Sequence, residues 1–407
     1  MITKKDLTNI LVQYPLESVG LIRHKYIKSL KPTLDRKEIL ILKGIRRCGK
    51  STIMKQLIQH LISKGIKKEQ ILYVNLDDYN FLPYLDFGLL DLILEQVGHG
   101  PRAYIFLDEI QKITGFESWL RTQYDREVNV KFIISGSTSA LLSKELGTLL
   151  TGRNLTFQIF PLDYKEFSEF SDKGFDEFMT YGGFPEVVLE ERTENKLNLL
   201  RDYISDIINK DIIGRHKIKD AMQFRHFAQF LLNNPGIRIS VNRLSKELDI
   251  GKDSVKNYLQ YMIESYILFE VPFFSYSAKS KFIAANMPKY YPIDNGLYLV
   301  NTSRRERGKQ VESAVAQKFF RQNKDLFYWK GKNEVDFVFE NNAFNVVSSE
   351  EIPEREISGL SEIKNSFKHI SRMIILNPKN KAEKGISYIN IEEFLLEQQN
   401  TAVNRNV

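Results

Sequence analysis

With a single cysteine in 407 residues, the chain can form no internal disulfide, and a reducing compartment suits it. It has no run of about 18 apolar residues, which argues against a transmembrane helix. Its opening, Met1-Ile2-Thr3-Lys4-Lys5-Asp6, has neither an apolar stretch nor a small-residue cleavage site, so the expected location is the cytoplasm. The six histidines, His24, His60, His99, His216, His226 and His369, show no metal-ligand spacing and read as surface or packing residues. No long-period repeat and no low-complexity linker stands out; residues 348–356 are acidic and read as a loop.

What is present is ordinary in bulk and specific in detail. A chain that is 43% hydrophobic and 27% charged has apolar material for two or three cores. Its net charge of +7 permits contact with nucleic acid without requiring it, so the placement of charge matters more than its sum.

The specific part begins at Gly44-Ile45-Arg46-Arg47-Cys48-Gly49-Lys50-Ser51, which fills every fixed position of the phosphate-binding loop GxxxxGK[ST]. Before it, residues 38–43 form a β-branched and leucine run suited to a buried parallel strand. After it, Ile53, Met54, Leu57, Leu61 and Ile62 recur at helical spacing. The two glycines let the backbone curl so that successive N–H groups and the positive helix end face phosphates. Lys50 then reaches the β- and γ-phosphates, and Ser51 offers its hydroxyl to Mg²⁺. The nucleotide-binding set is therefore Gly44, Arg46, Arg47, Cys48, Gly49, Lys50, Ser51 and Thr52, with ATP and Mg²⁺ as the expected cofactors. No guanine-specific N/TKxD sequence stands where one is expected.

The second half of such a site is a strand ending in acids, and residues 103–109, AYIFLDE, supply it. Acid pairs at strand ends are often merely solvated; beside a phosphate loop, Asp108 reads as holding the magnesium shell and Glu109 as orienting or activating the attacking water. A third strand, Val130 to Ile134, ends in Ser135-Gly136-Ser137-Thr138-Ser139. These hydroxyls can bond the γ-phosphate or the water, or else cap a helix over residues 140–146. Cys48, inside the loop, sits where the helix dipole and lysine can lower its pKa and make oxidation a block to nucleotide.

These motifs, together with Leu107-Asp108-Glu109-Ile110-Gln111, Leu150-Thr151-Gly152-Arg153, the lead-in Leu21 to Tyr26, Tyr181-Gly182-Gly183-Phe184-Pro185-Glu186 and residues 288–297, resemble the prokaryotic AAA+-superfamily ATPases that carry a C-terminal domain of unknown function. The resemblance implies an α/β fold: a P-loop ATPase core with a parallel sheet, a winged-helix region and a degenerate nuclease-like tail. It makes Ser135 or Ser137 the sensor on the third strand. It also makes Arg153 a candidate γ-phosphate sensor or arginine finger, the alternative being a structural salt bridge. The expected boundaries are 1–160 for the core, 161–215 for a lid or connecting helical segment that includes a charged helix over 195–213, 216–300 for the winged helix and 301–407 for the tail.

Within 216–300, a helix around Phe224 to Leu232 breaks at Asn233-Asn234-Pro235-Gly236. A capped helix from Ser240 to Leu248, a turn at Asp249-Ile250-Gly251 and a helix from Lys252 then make a helix-turn-helix, with 267–271 and 281–284 as the wing. If it reads double-stranded DNA, Lys252, Ser254, Lys256 and Asn257 face the groove, with Arg243 and Lys246 on phosphates. Winged helices also dock proteins, and Asp249, Asp253 and Glu264 dilute the positive field.

In the tail, residues 327–330 and 334–339 read as two strands, with Asp336 placed as in the PD-(D/E)xK nuclease core. That chemistry needs a second acid and a lysine spaced E-x-K on the next strand. Asn345 and Val347 stand there instead, so cleavage is not expected and Asp336 reads as a remnant that holds the fold. Three functions remain in view: an ATPase switch that binds DNA, the same switch acting on a protein partner, and a phosphate-transferring kinase, which the water-activating Asp108-Glu109 pair disfavours. Oligomerisation is compatible with each.

Overall fold

The computed structural model describes Leu7 and residues 19–97, 100–137, 150–275, 287–299, 306–378 and 385–397. The chain forms two compact units that divide between Ile159 and Phe160. Among the described residues no helix is long and apolar enough to cross a membrane.

The first unit is built on a five-stranded sheet of β1 (Ile39–Lys43), β2 (Ile71–Asn75), β3 (Ala103–Asp108), β4 (Val130–Gly136) and β5 (Asn154–Gln158), in the order β2-β3-β4-β1-β5. Every pair is parallel, so all strands end at one edge. The β1 residues Ile39 to Leu42 are all buried, because helices cover both faces of a parallel sheet. One face packs Ile39, Ile41, Ile105, Leu107, Phe132 and Ile134 against α3 (Phe87–Gln96) and α4 (Phe116–Asp125). Leu40 and Leu42 are buried from the other face, as are Ile53, Met54 and Leu57 of α2 (Lys50–Ser63). Ahead of β1, α1 (His24–Leu30) packs on α2.

The second unit opens with four helices, α5 (Tyr164–Phe170), α6 (Phe175–Tyr181), α7 (Pro185–Leu189) and α8 (Thr193–Asp206). The charged segment expected as one helix to residue 213 is α-helical only to Asp206 and continues as a π-helical stretch, Ile207–Gly214. Next come α9 (Ala221–Leu232), β6 (Ile237–Arg238), α10 (Val241–Leu248), α11 (Lys252–Glu264), β7 (Leu268–Val271) and β8 (Lys289–Pro292). The Ser240 hydroxyl accepts the Arg243 N–H at 3.1 Å and so caps the start of α10, as the sequence predicts. Asp249 in the left-handed region ends α10, and α11 runs on to Glu264. The strand that pairs with β7 is β8, in an antiparallel three-stranded sheet of order β6-β8-β7. The other expected wing strand, 281–284, lies outside the described residues.

After the one-turn α12 (Gly296–Leu299), α13 (Arg307–Phe320) leads into β9 (Leu326–Lys330), β10 (Glu334–Phe339), β11 (Asn342–Val346), α14 (Glu354–Ser366), β12 (Arg372–Asn377), β13 (Ile386–Asn390) and α15 (Ile391–Leu396). The sheet order is β13-β12-β11-β10-β9, antiparallel through β9, β10 and β11 and parallel from β11 to β13. The acidic stretch read as a loop to residue 356 is helical from Glu354, after Pro353 fixes the entry to α14.

One buried carboxylate ties two sequence motifs together. Asp294 accepts the Gly183 N–H and the Gly296 N–H, each at 2.8 Å. Burial pushes its carboxyl up to about 6, against the pull of those two donors. A carboxyl raised in the folded state lends stability that is fully present below about pH 4 and is lost as pH rises through about 6. The shift corresponds to about 3 kcal/mol. Urea unfolding of wild type and Asp294→Asn from pH 4 to 7 should show the wild type's advantage shrinking by about that amount; a constant difference would refute the shift.

Candidate functional site: the phosphate loop and its acid pair

The loop after β1 is tight on every side. Gly44 has φ +153°, and a Cβ there would lie 2.0 Å from the Ile159 carbonyl oxygen. Gly49 has φ +100° and hands the chain to α2, whose first residue is Lys50. Both glycines are therefore required by backbone geometry, and Gly44 by space as well. Lys50 is 4% exposed, and its ammonium donates to the Gly44 and Ile45 carbonyls at 3.0 and 3.1 Å. The loop is braced from behind by Arg23, buried ahead of α1, whose guanidinium donates to the Cys48 carbonyl at 3.0 Å.

Because β1, β4 and β3 are neighbours and parallel, their loops converge at the carboxyl edge of the sheet. Asp108, 1% exposed at the end of β3, accepts hydroxyl bonds from Tyr73 of β2 at 2.8 Å, from Ser135 of β4 and from Ser51. Burial, then the neighbouring Glu109, raises its carboxyl above the usual range, while those three hydroxyls pull it back. Ser51 and Asp108 thus meet, and one hydroxyl plus one carboxylate is the donor set that suits Mg²⁺, which keeps waters and phosphate oxygens for its other positions.

Glu109 has φ +56° and ψ +45°, a left-handed conformation uncommon for a non-glycine residue. Its N–H donates to Ser135 Oγ at 3.2 Å. Its carboxylate accepts from Ser137 Oγ at 3.0 Å and from the Gln111 amide, and lies 3.9 Å from the Lys50 ammonium. Ser135 and Ser137, the two alternatives for the sensor, are both buried and bonded to the two acids. The expected helix over 140–146 and the pair Thr138-Ser139 lie outside the described residues.

Arg46 pairs with Asp77 at 3.6 Å, and Asp77 also holds Lys112 at 2.6 Å. Arg47 is exposed with φ +67°, while Thr52 is half-buried on the first turn of α2. Two expectations need correction. Arg153 lies at the opposite edge: its carbonyl accepts the Ile39 N–H at the start of β1, and its guanidinium pairs with Asp125 at 2.9 Å. A five-residue strand of about 3.3 Å rise separates it from the loop by about 13 Å, so it serves as the structural salt bridge and not as this site's γ-phosphate sensor. Cys48 is fully buried, and burial raises its thiol pKa in spite of Lys50 and Arg23, the reverse of a reactive thiolate.

Residues 36–168 match the AAA domain family, and residues 172–306 match a domain of unknown function (DUF8612). Over 327 residues the chain is 30% identical to the uncharacterized protein MJ1544 of Methanocaldococcus jannaschii, covering 74% of this chain and 72% of that one. The chain belongs to this AAA-domain family. An uncharacterized protein of Haemophilus influenzae is 28% identical over 374 residues, 86% of this chain and 92% of the other. Among solved structures, AMPPCP-bound DnaA from Aquifex aeolicus aligns with a TM-score of 0.30 at 13% identity, over 62% of this chain and 92% of that one.

In this AAA-domain protein, sequence reasoning missed Tyr73, Gln111, Asp77 and a role for Arg23. Arg23 and Gln111 fall inside family-like runs, which was a usable signal. Tyr73 had none, since a tyrosine in an apolar strand reads as core.

On α10 and α11 the predicted DNA-facing residues are mostly open. Arg243, Lys246, Lys252, Lys256 and Asn257 are exposed and Ser254 is half-buried. Arg243 pairs with Glu247 at 2.7 Å and Lys256 with Asp253 at 3.6 Å.

Proposed function

We propose that the chain binds ATP with Mg²⁺ and hydrolyses it to ADP and phosphate, using hydrolysis as a conformational switch. The observation that carries this reading is the Glu109 carboxylate, held by Ser137 and Gln111 beside Lys50 and next to the Ser51–Asp108 pair. Lys50 moves from loop carbonyls to the β- and γ-phosphates, exchanging neutral acceptors for charged ones. Mg²⁺, when bound, neutralises charge on the phosphate oxygens, and Ser51 and Asp108 are the residues that hold it. Glu109 orients the attacking water and takes its proton. Turnover is slow until a partner completes the site, because an arginine finger supplied by a partner can raise such rates by roughly 10³ or more.

We read α9, β6, α10, α11, β7 and β8 as a winged helix and assign it as the partner-reading module; the helix-turn-helix at α10 and α11 and the antiparallel sheet beside it support that reading. Lys252, Ser254, Lys256 and Asn257 face the groove of double-stranded DNA, with Arg243 and Lys246 on its phosphates. The pairing of Arg243 with Glu247 and of Lys256 with Asp253 favours a second reading, a protein partner, because charges already paired add little to a phosphate-seeking face.

The test is ATP hydrolysis by wild type and Lys50→Ala, each with and without duplex DNA at two salt concentrations. Hydrolysis that vanishes in Lys50→Ala and rises with DNA, less so at high salt, supports the DNA-coupled switch. Hydrolysis lost in the variant but indifferent to DNA supports the protein partner. Equal hydrolysis in wild type and variant refutes the phosphate-loop assignment.

A further inference from the structure

The second unit contains a cavity of about 510 Å³ whose floor includes Glu312 of α13 and Glu334 and Asp336 of β10. Glu334 and Asp336 are two apart on one strand, so both project to the same face. Their carboxylates and that of Glu312 converge on one point, and that point holds the ammonium of Lys289, delivered from β8. It lies 2.7 Å from Glu334, 3.0 Å from Glu312 and 3.5 Å from Asp336. Lys289 is 2% exposed, so this is a buried ionic node and no solvated pair.

The remaining groups are committed around it. Asp336 also accepts the Val346 N–H at 2.9 Å, and Glu312 accepts the Tyr291 hydroxyl at 2.6 Å. Asn345, at the position where the nuclease pattern needs an acid, is buried and fully engaged: its carbonyl accepts the Asp336 N–H at 3.0 Å, and its amide donates to the Glu356 carboxylate at 2.8 Å. Val347, where that pattern needs lysine, packs in the core of the sheet.

A divalent ion needs several oxygen donors at roughly 2.0–2.6 Å around a centre that no other charge occupies. Among the described residues no three acidic, histidine or cysteine side chains meet that requirement. The residues present do not fit the metal that a nuclease-like fold implies. We infer that Lys289 is the built-in cation of this pocket, standing where a divalent ion would stand and closing the pocket to Mg²⁺ and Mn²⁺. The pocket then lacks the means for metal-dependent phosphodiester cleavage, and its carboxylates serve instead to anchor β8 to α13 and β10. The charge state is consistent: the surrounding carboxylates hold the Lys289 ammonium protonated well above its ordinary range, despite the cost of burial.

The experiment is Mn²⁺ binding, counted by electron paramagnetic resonance on the nucleotide-free full chain. Four proteins are compared: wild type, Asp336→Asn, Lys289→Met and the double variant. Wild type and Asp336→Asn should bind the same number of ions; Lys289→Met should gain one, and the double variant should lose it again. If Lys289→Met does not fold alone, millimolar Mn²⁺ should restore its melting transition. The inference is overturned if Asp336→Asn removes an ion that wild type binds, if Mn²⁺-dependent DNA cleavage is lost on Asp336→Asn, or if Lys289→Met neither gains an ion nor is rescued by one.

Discussion

Glu109→Gln is expected to lower ATP turnover by roughly 10²–10⁴-fold, the range a positioned general base contributes, while ATP affinity stays within a few-fold of wild type. The substitution keeps shape and removes only charge and basicity. A glutamine carbonyl can still accept from the Ser137 hydroxyl and the Gln111 amide, so the side chain has no reason to leave its place. What it cannot do is accept a proton from water. Nor should it weaken the metal site, because the Glu109 charge is one of the causes that raise the Asp108 carboxyl. Removing that charge leaves Asp108 more readily ionised, so Mg²⁺-dependent nucleotide binding should hold or strengthen. Turnover measured beside equilibrium binding of labelled ATP separates the two. Hydrolysis within about tenfold of wild type would move the base to another residue.

That prediction rests on the part of the site that a linear sequence carries best. Gly44, Gly49, Lys50 and Ser51 lie in one short stretch because one loop makes the phosphate cradle, and Asp108 and Glu109 are adjacent because one strand end presents both acids. Ser135 and Ser137 could be placed beside them only on the assumption that their strand runs next to β3, which the sheet order satisfies. The Tyr73 hydroxyl on Asp108 was illegible, since nothing local separates it from a packing tyrosine. Arg153 shows a different failure. Its residue type suits a phosphate sensor, but the strand that follows it, β5, is parallel to β1, which fixes Arg153 at the amino end and away from the loop. Without assigning β5 that direction was invisible. Lys289 is a third kind: its three carboxylate partners lie 23 to 47 positions further along the chain, on two other elements, so only the fold brings them together.

The same dependence on distant contact makes Gly182→Ala the substitution with the largest expected cost to stability. Gly182 ends α6 at φ +72° and ψ −157°, a region essentially reserved for glycine. An added Cβ would sit 1.7 Å from Asp294 Oδ1 and 2.6 Å from the Gly296 nitrogen. Neither neighbour can yield freely, because Asp294 Oδ1 is itself bonded to the Gly296 N–H while its other oxygen holds Gly183. Backbone strain of about 1–3 kcal/mol and overpacking of similar size should together cost about 4 kcal/mol or more, a large share of the roughly 5–15 kcal/mol typical of a folded domain. Gly385→Ala isolates the first of these, since Gly385 has φ +85° in the same unit but, among the described residues, an added Cβ would meet only Met373 Cε, at an ordinary 3.8 Å. Urea unfolding should therefore show Gly385→Ala losing about 1–3 kcal/mol and Gly182→Ala clearly more. Equal losses would mean that Asp294 can swing aside at little cost. In that case the Gly183 and Gly296 bonds would not be what fixes the turn.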